Sequence, residues 1–287
     1  MNLGLSEARW IKPGRRAAIR VGEFLHRTAT TVLHLARRQR APLPTLVTVN
    51  GRSIDIVDDM AAFTGLDRAV IVREITTRRH LSHLLEWHAT PREFRQDHWF
   101  YLSSKGYLFS NAGHFTDGGI VRASLPYVGK GPVLEFGGGT GQVSVMLAAA
   151  GIPSMFVELN ALQVSFVRFR VHRHGLPVRV LDAWEPLPVG EFSAVMAFDV
   201  LEHLPDAART LEERLLPSLR PTGVLIENSP FGAGIGNPMH HEDFGFESFM
   251  ARRGFAPTPL GDLVRAWLPA TARSAEPADS SIPPASA

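Results

Sequence analysis

From Gly131 onward, short apolar runs alternate with longer segments in which apolar residues recur every three or four positions. This alternation predicts buried β-strands joined by amphipathic helices, as in a mostly parallel sheet. The expected strands are 133–136, 154–158, 178–181, 194–198 and 223–227, and the expected helices begin near Gly141, Ala161, Asp206 and Phe246. The fold class is therefore predicted to be α/β, a Rossmann-like sheet with helices on both faces.

Residues 1–128 have a mostly helical pattern and are predicted to form a cap over the substrate region. Apolar and polar residues alternate on both sides of Asn50-Gly51, which is typical of a β-hairpin. Asp58 is expected to cap the following helix, and Gly65 to interrupt it. The cap is thus predicted to be mainly helical, with one small hairpin.

The Rossmann-like domain is assigned to residues 129–268, and residues 269–287 are predicted to be a disordered tail because they are small, polar and proline-rich. Little sequence lies between the last helix and that tail. A shortened sheet edge is therefore expected, with Leu260 to Trp267 forming at most one strand or a terminal helix.

Composition narrows the function classes. The chain has 287 residues, of which 45% are hydrophobic, and no apolar run approaches the roughly 20 residues of a membrane span. A cytoplasmic protein without a membrane partner is expected. The absence of cysteine excludes disulfides, thiolate metal sites and cysteine nucleophiles.

Basic residues crowd the first forty positions, although the formal net charge of the whole chain is only +2. The preferred interpretation is the solvated face of amphipathic helices. A nucleic-acid or membrane-surface arm stays open as an alternative, and so does a DNA-reading helix-turn-helix around Gly65.

The segment from Glu135 to Gly141 reads Glu-Phe-Gly-Gly-Gly-Thr-Gly, between a predicted strand and a predicted helix. Glycine lets the backbone turn sharply and approach a ligand beneath the positive end of the next helix. Glu158 ends the second strand, where a carboxylate can accept hydrogen bonds from ribose hydroxyls. Asp182 follows the third strand. An ordinary turn, a helix cap at Asp182 and a purely structural Glu135 remain alternatives.

Four motifs in this order carry a family resemblance: Glu135-x-Gly137-x-Gly139-x-Gly141, Glu158, Leu181-Asp182-Ala183, and Phe198-Asp-Val-Leu-Glu-His-Leu-Pro-Asp206. Together they resemble the motifs of class I S-adenosylmethionine (SAM)-dependent methyltransferases, and the last one resembles those of the small-molecule, quinone-biosynthesis type. The resemblance implies SAM as cofactor, with the glycine loop beside its methionine moiety. It also implies that Glu158 holds the ribose, that Asp182 and the Ala183 backbone read the adenine, and that Ala197 and Phe198 line the sulfonium. An NAD(P)-dependent dehydrogenase is the competing interpretation, but its G-x-G-x-x-G fingerprint differs from this loop.

The methyl acceptor is expected above the carboxyl ends of the strands, between the cap and the loop after the fifth strand. Tyr101, Tyr107, His114 and Phe231 are the predicted lining residues, with core packing as the alternative for each. His240 and His241 are the predicted proton acceptors, because histidine titrates near neutral pH. No metal site is predicted, since His240 and His241 are adjacent, although Glu202 and His203 could contribute to one. A small-molecule acceptor is preferred over RNA or protein.

Overall fold

The computed structural model describes residues 46–49, 52–77, 81–95, 98–113, 119–129, 131–232, 239–260 and 264–272. Several sequence-based expectations lie outside these ranges: the basic arm, the Asn50-Gly51 turn, His114, and the tail beyond residue 272.

A seven-stranded sheet forms the centre of the protein, with the strand order β5-β4-β3-β6-β7-β9-β8. Its strands are β3 Val133–Phe136, β4 Ser154–Glu158, β5 Val178–Asp182, β6 Phe192–Phe198, β7 Leu219–Asn228, β8 Phe255–Pro259 and β9 Arg265–Pro269. The first five pair in parallel, whereas β9 runs antiparallel to both β7 and β8. The predicted Rossmann-like fold is confirmed. The strand order reverses at β3, so a crevice is expected there at the carboxyl edge of the sheet.

Helices surround this sheet. Those of the cap are α1 Ile56–Thr64, α2 Arg68–Thr77, α3 Leu81–Ala89, α4 Arg92–Arg95, α5 His98–Ser103, α6 Gly106–Ala112 and α7 Gly119–Val128. Those that follow are α8 Gln142–Ala149, α9 Ala161–His174, α10, which runs through Ala207–Thr210, Leu211–Leu215 and Leu216–Ser218, and α11 Phe246–Arg252. Among the described residues, no helix is long and apolar enough to cross a membrane.

The expected shortened edge is wrong, because β8 and β9 complete the sheet. Each strand has only five residues, and the turn between them is closed by a 2.8 Å hydrogen bond from the Leu260 N–H to the Val264 carbonyl. The prolines in β8 obscured the strand pattern, but an edge strand tolerates them. Trp267 in β9 is buried and anchors the pair against β7.

The cap contains the predicted hairpin, in which β1 Leu46–Val49 pairs antiparallel with β2 Arg52–Asp55. The expected cap residue is wrong, because Asp55 rather than Asp58 accepts the hydrogen bond at the start of α1, from the Val57 N–H at 2.8 Å. Asp58 lies in the first turn of the helix instead. Gly65 ends α1 in the left-handed conformation, with φ 73°, which confirms the predicted interruption.

Candidate active site

The glycine loop, residues 137–141, connects β3 to α8 and lies at the switch point of the sheet. Gly137 has φ 68°, and a Cβ there would lie 2.5 Å from Cγ2 of Val200, which follows β6. Gly139 has φ 58°, and a Cβ there would lie 2.7 Å from Nδ2 of Asn111 in cap helix α6. Both positions therefore require glycine. The loop is held between the strand-end segment after β6 and the cap.

Glu158 joins the end of β4 to the glycine loop. One of its carboxylate oxygens accepts the Gly139 N–H at 2.9 Å, and the other accepts those of Leu159 at 2.7 Å and Asn160 at 2.9 Å. Burial raises the pKa of Glu158, the three backbone hydrogen bonds oppose this, and the nearby charge of Asp182 adds to it. The carboxylate is 8% exposed and points at the loop that the sequence assigns to a cofactor.

Asp182 lies beside Glu158, because the two residues are register partners at the ends of β5 and β4. Its carboxylate accepts the Trp184 N–H at 3.2 Å, while its own N–H donates to Oε1 of Glu185 at 2.9 Å. The Ala183 N–H donates to the Glu158 carbonyl at 3.0 Å. Asp182 thus caps a tight turn and not a helix, and both acids stand at the same edge of the sheet.

Glu135 is buried beneath the glycine loop. Its Oε2 accepts hydrogen bonds from the N–H and the hydroxyl of Ser144, in the first turn of α8. Burial raises the pKa of Glu135 to about 7, against the lowering effect of the Ser144 bonds and the charge of Arg170. The structure therefore places Glu135 as the residue that ties β3 to the helix after the loop.

Arg170 is a supporting residue that sequence reasoning missed. Its fully buried guanidinium donates to Asp59 of α1 at 2.9 Å, to the Thr140 carbonyl at 2.8 Å and to Oε1 of Gln142 at 3.0 Å. The available signal was periodicity, since Phe166, Val167 and Arg170 share the buried face of α9. Arg170 connects the cap, the glycine loop and the start of α8.

The end of β6 is strained. Ala197 and Phe198 are buried in the core, and the next residue, Asp199, has φ 51°. Asn228 at the end of β7 stabilises this conformation, because its Oδ1 accepts the Asp199 N–H at 2.7 Å and its Nδ2 donates to the Asp199 carboxylate at 3.0 Å. Strain of this kind costs free energy and is concentrated at functional sites. It directs the following segment over the carboxyl edge of the sheet.

An aromatic and polar group of side chains lies at this edge, and we call it the acceptor-side cluster. It consists of Tyr101, Tyr107, Glu202, His203, Met239 and His240. The Tyr101 hydroxyl lies 2.9 Å from Nδ1 of His203, and the rings of His203 and His240 are 4.8 Å apart. The Tyr107 hydroxyl donates to Sδ of Met239 at 3.7 Å. The cluster combines residues from the cap with residues that follow β6 and β7.

The cap is fixed at this point by Asn160. Its side-chain oxygen caps α9, while its Nδ2 donates at 2.7 Å to each of the carbonyls of Tyr101 and Ser104. Because Asn160 follows Glu158 by two residues, the end of β4 positions both the glycine loop and the cap helix that carries Tyr101.

Burial controls the protonation states in the acceptor-side cluster. It lowers the pKa of His203 to about 3, with a further lowering by His240, and it also lowers the pKa of His240 itself. Burial raises the pKa of Tyr101 and of Tyr107, and the charge of Glu202 adds to both shifts. At neutral pH the two imidazoles are therefore neutral and the two phenols are protonated.

Glu202 is 0% exposed, and neither of its carboxylate oxygens has a hydrogen-bond partner. Burial raises its pKa well above the usual range, and the charges of Asp199 and Glu227 act in the same direction. Its ligand atom and those of His203 and His240 all lie within 4.8 Å of one another. From the sequence, Glu202 and His203 were predicted only as possible contributors to a metal site.

The other predicted acceptor residues are divided. Tyr101, Tyr107 and His240 come together in the cluster, whereas the ring of Phe231 packs against Phe244 and Phe246. The backbone of His241 ties the loop after β7 to the segment after β6, since its N–H donates to the Glu202 carbonyl at 2.7 Å.

Residues 134–226 match a protein family described as a methyltransferase domain. The chain is similar to the lysine N-methyltransferases of ATP synthase from Rattus norvegicus, at 30% identity, and Mus musculus, at 29%. Each match extends over 90 residues, which are 30% of this chain and 41% and 36% of the two relatives. The chain therefore spans well under half the length of these curated relatives.

Two solved structures are also similar to this chain. One is a geranyl diphosphate C-methyltransferase from Streptomyces coelicolor A3(2), with TM-score 0.44, 17% identity, and coverage of 55% of this chain and 67% of that chain. The other is a Burkholderia thailandensis 1,6-didemethyltoxoflavin-N1-methyltransferase, with TM-score 0.40, 19% identity, and coverage of 53% and 78%.

Proposed function

The chain carries a class I SAM-dependent methyltransferase domain, and from this premise we propose that it transfers the SAM methyl group to a nucleophile of a small molecule. The observation that carries the proposal is the hydrogen bond between Glu158 and Gly139 at the switch point of the sheet. It joins an acidic strand end to a glycine loop, which is the arrangement that Rossmann-type sites use for a nucleoside ligand.

In the proposed complex, the glycine loop passes the methionine moiety of SAM and Glu158 binds the ribose hydroxyls. Asp182 stands next to Glu158 in register, so its carboxylate is available to the adenine amino group. Because the Ala183 N–H is bonded to the Glu158 carbonyl, Ala183 contributes chiefly by holding these two strand ends together. Ala197 and Phe198 are proposed to line the sulfonium through their backbone, since both side chains are buried.

The acceptor is proposed to bind at the acceptor-side cluster, with Tyr101 and Tyr107 as lining residues. Aromatic walls with a few polar groups are typical of small-molecule sites. The relatives that are lysine methyltransferases of ATP synthase keep a protein acceptor as the second candidate. An RNA acceptor has less support, since the basic arm that suggested it lies outside the described residues.

Methyl transfer breaks the sulfur–methyl bond of SAM and forms a bond from the methyl group to the acceptor, leaving S-adenosylhomocysteine. The protein contributes mainly by aligning the two reactants. An acceptor that carries a proton must also lose it, and His240 is better placed for this than His241. The His240 ring contacts His203 and has a lowered pKa, so the imidazole is neutral and able to accept a proton or to coordinate an ion.

The test uses SAM labelled in the methyl group and an extract of small metabolites, separated by size from extracts of protein and RNA. The proposal expects label in the small-molecule fraction, together with SAM binding measured by calorimetry. Label in protein alone would favour the second candidate. Failure to bind SAM in a folded preparation would contradict the function itself.

A further inference from the structure

The three ligand atoms offered by Glu202, His203 and His240 all lie within 4.8 Å of one another. Two ligand atoms of a tetrahedral metal site with bonds of about 2.1 Å are separated by roughly 3.3 Å. The contact between Glu202 Oε1 and His203 Nε2, at 3.8 Å, is already close to this separation. Small side-chain rotations therefore suffice to bring all three atoms onto one ion.

Glu202 supplies a second and independent observation. A buried polar side chain normally has hydrogen-bond partners, and a carboxylate without them carries a large desolvation cost. Both oxygens of Glu202 lack a partner although the side chain is fully buried. The nearby acids Asp199 and Glu227 add negative charge. A bound cation would satisfy the two oxygens and offset this charge.

The orientation of His203 is already that of a metal ligand. Its Nδ1 faces the Tyr101 hydroxyl at 2.9 Å and the Met239 carbonyl at 3.3 Å, which leaves Nε2 on the side of Glu202. Metal-binding histidines commonly use their second nitrogen in this way, because the outer hydrogen bond fixes the tautomer and the ring orientation.

We propose that Glu202, His203 and His240 bind one divalent transition-metal ion of the Zn²⁺ or Mn²⁺ class. Two imidazole nitrogens with one carboxylate suit these ions, whereas Mg²⁺ and Ca²⁺ prefer oxygen ligands. Three protein ligands also leave a coordination position open to a substrate. The proposal departs from the sequence-based expectation of no metal, and it changes the role of His240 from proton acceptor to ligand.

The ion also points to the chemical class of the acceptor, a conclusion that rests on the proposed methyltransferase function. A hydroxyl oxygen keeps a lone pair after binding a cation, and coordination lowers its pKa. An amine nitrogen has one lone pair, which coordination would occupy. The acceptor is therefore a hydroxyl compound: its O–H bond breaks and the proton goes to water. The oxygen then bonds to the methyl carbon while the sulfur keeps the electron pair of the broken S–CH₃ bond.

The test titrates Zn²⁺ by calorimetry into protein that has been treated with chelator and dialysed, without SAM or acceptor. Wild type is expected to bind one equivalent and to melt at a higher temperature with the ion. Glu202→Gln, His203→Gln and His240→Gln should each weaken binding more than about a hundredfold, because losing an outer partner alone costs about ten- to a hundredfold. Tyr101→Phe should fall within that smaller range, and Mg²⁺ should bind far more weakly than Zn²⁺.

His172→Gln, on the exposed side of α9, is the matched control and should bind Zn²⁺ like wild type. Unchanged Zn²⁺ affinity in the three ligand variants would overturn the proposal, as would the absence of stoichiometric binding by wild type. If a ligand variant fails to fold, the remaining two and Tyr101→Phe decide. Calorimetry with SAM on the same samples separates the two proposals, since SAM binding tests the methyltransferase function and Zn²⁺ binding tests the metal site.

Discussion

The carboxylate of Glu158 accepts the backbone N–H of Gly139 across 2.9 Å, so the end of β4 and the glycine loop after β3 hold each other in place. The same side chain organises the start of the next segment through Leu159 and Asn160. Asn160 in turn fixes the cap helix that carries Tyr101. Cofactor loop and acceptor side are thus linked through three consecutive residues.

The first prediction concerns Glu158→Gln. The substitution removes the charge and places an amide in a position where a carboxylate oxygen accepts the Gly139 N–H. Losing a charge-assisted hydrogen bond costs about 1.5–3 kcal/mol, so SAM affinity should fall by roughly ten- to a hundredfold. Calorimetry provides the measurement, and Glu213→Gln on the exposed face of α10 provides the control. Wild-type affinity in folded Glu158→Gln would remove the ribose role.

The second prediction is a pH dependence that arises from Glu135. Its pKa is raised from 4.5 to about 7 by burial, so between these values the folded state keeps a proton that the unfolded state has lost. Stability should therefore fall as pH rises through this window, by about 3 kcal/mol in total, and the loss should be complete above the folded pKa.

Glu135→Gln is neutral at every pH and can still accept the Ser144 N–H. Its free energy of unfolding should gain on that of wild type as pH rises from about 5 to about 8. Urea unfolding at a series of pH values measures the difference, with Glu213→Gln as the reference for surface carboxylates. A difference that does not change with pH would mean that Glu135 is ionised throughout.

The third prediction tests the buried contacts of Arg170. Arg170→Met leaves Asp59 without its closest buried cation, and breaking a buried ion pair in this way costs about 3–5 kcal/mol. Adding Asp59→Asn should recover part of the loss, because the two residues interact directly. Arg168→Met, exposed on the same helix, is the matched control in urea unfolding. Fully additive effects of the two substitutions would contradict the coupling.

Local patterns predicted much of the fold because the parallel strands are short, apolar and bounded by glycine or acidic residues. The strand boundaries at Phe136 and Glu158 agree with the structure for this reason. At the sheet edge the same reasoning failed, since prolines in β8 removed the usual strand signal while pairing with β9 stabilised the strand. The cap residue of α1 was misplaced because the end of β2, and not local propensity, determines where the helix begins.

The site was predictable where sequence order placed acids at strand ends, as with Glu158 and Asp182. It was not predictable where segments distant in sequence meet. Arg170 lies 111 positions from Asp59, and Tyr101 lies 102 positions from His203. Nothing local marks these pairs, because each is created by the docking of the cap on the sheet. His240 was named as a proton acceptor, but its position beside Glu202 and His203 suggests a different role.

The last prediction separates those two roles of His240 by turnover, measured once an acceptor is found. If His240 is a metal ligand, chelator should suppress turnover of wild type, and Zn²⁺ or Mn²⁺ should restore it. His240→Gln should then have a kcat lowered by about a hundredfold or more that added ion does not restore at the same concentration. SAM affinity should stay unchanged in both experiments, because the cofactor contacts lie on the Glu158 side. If His240 acts as a general base, its loss costs about 10²–10⁴-fold, but wild-type turnover should be insensitive to chelator. His241→Gln distinguishes a local from a general effect of the loop, since the contacts of His241 with Glu202 and Gly232 use its backbone and survive the substitution. A loss in His241→Gln as large as that in His240→Gln would contradict the assignment of the chemistry to His240.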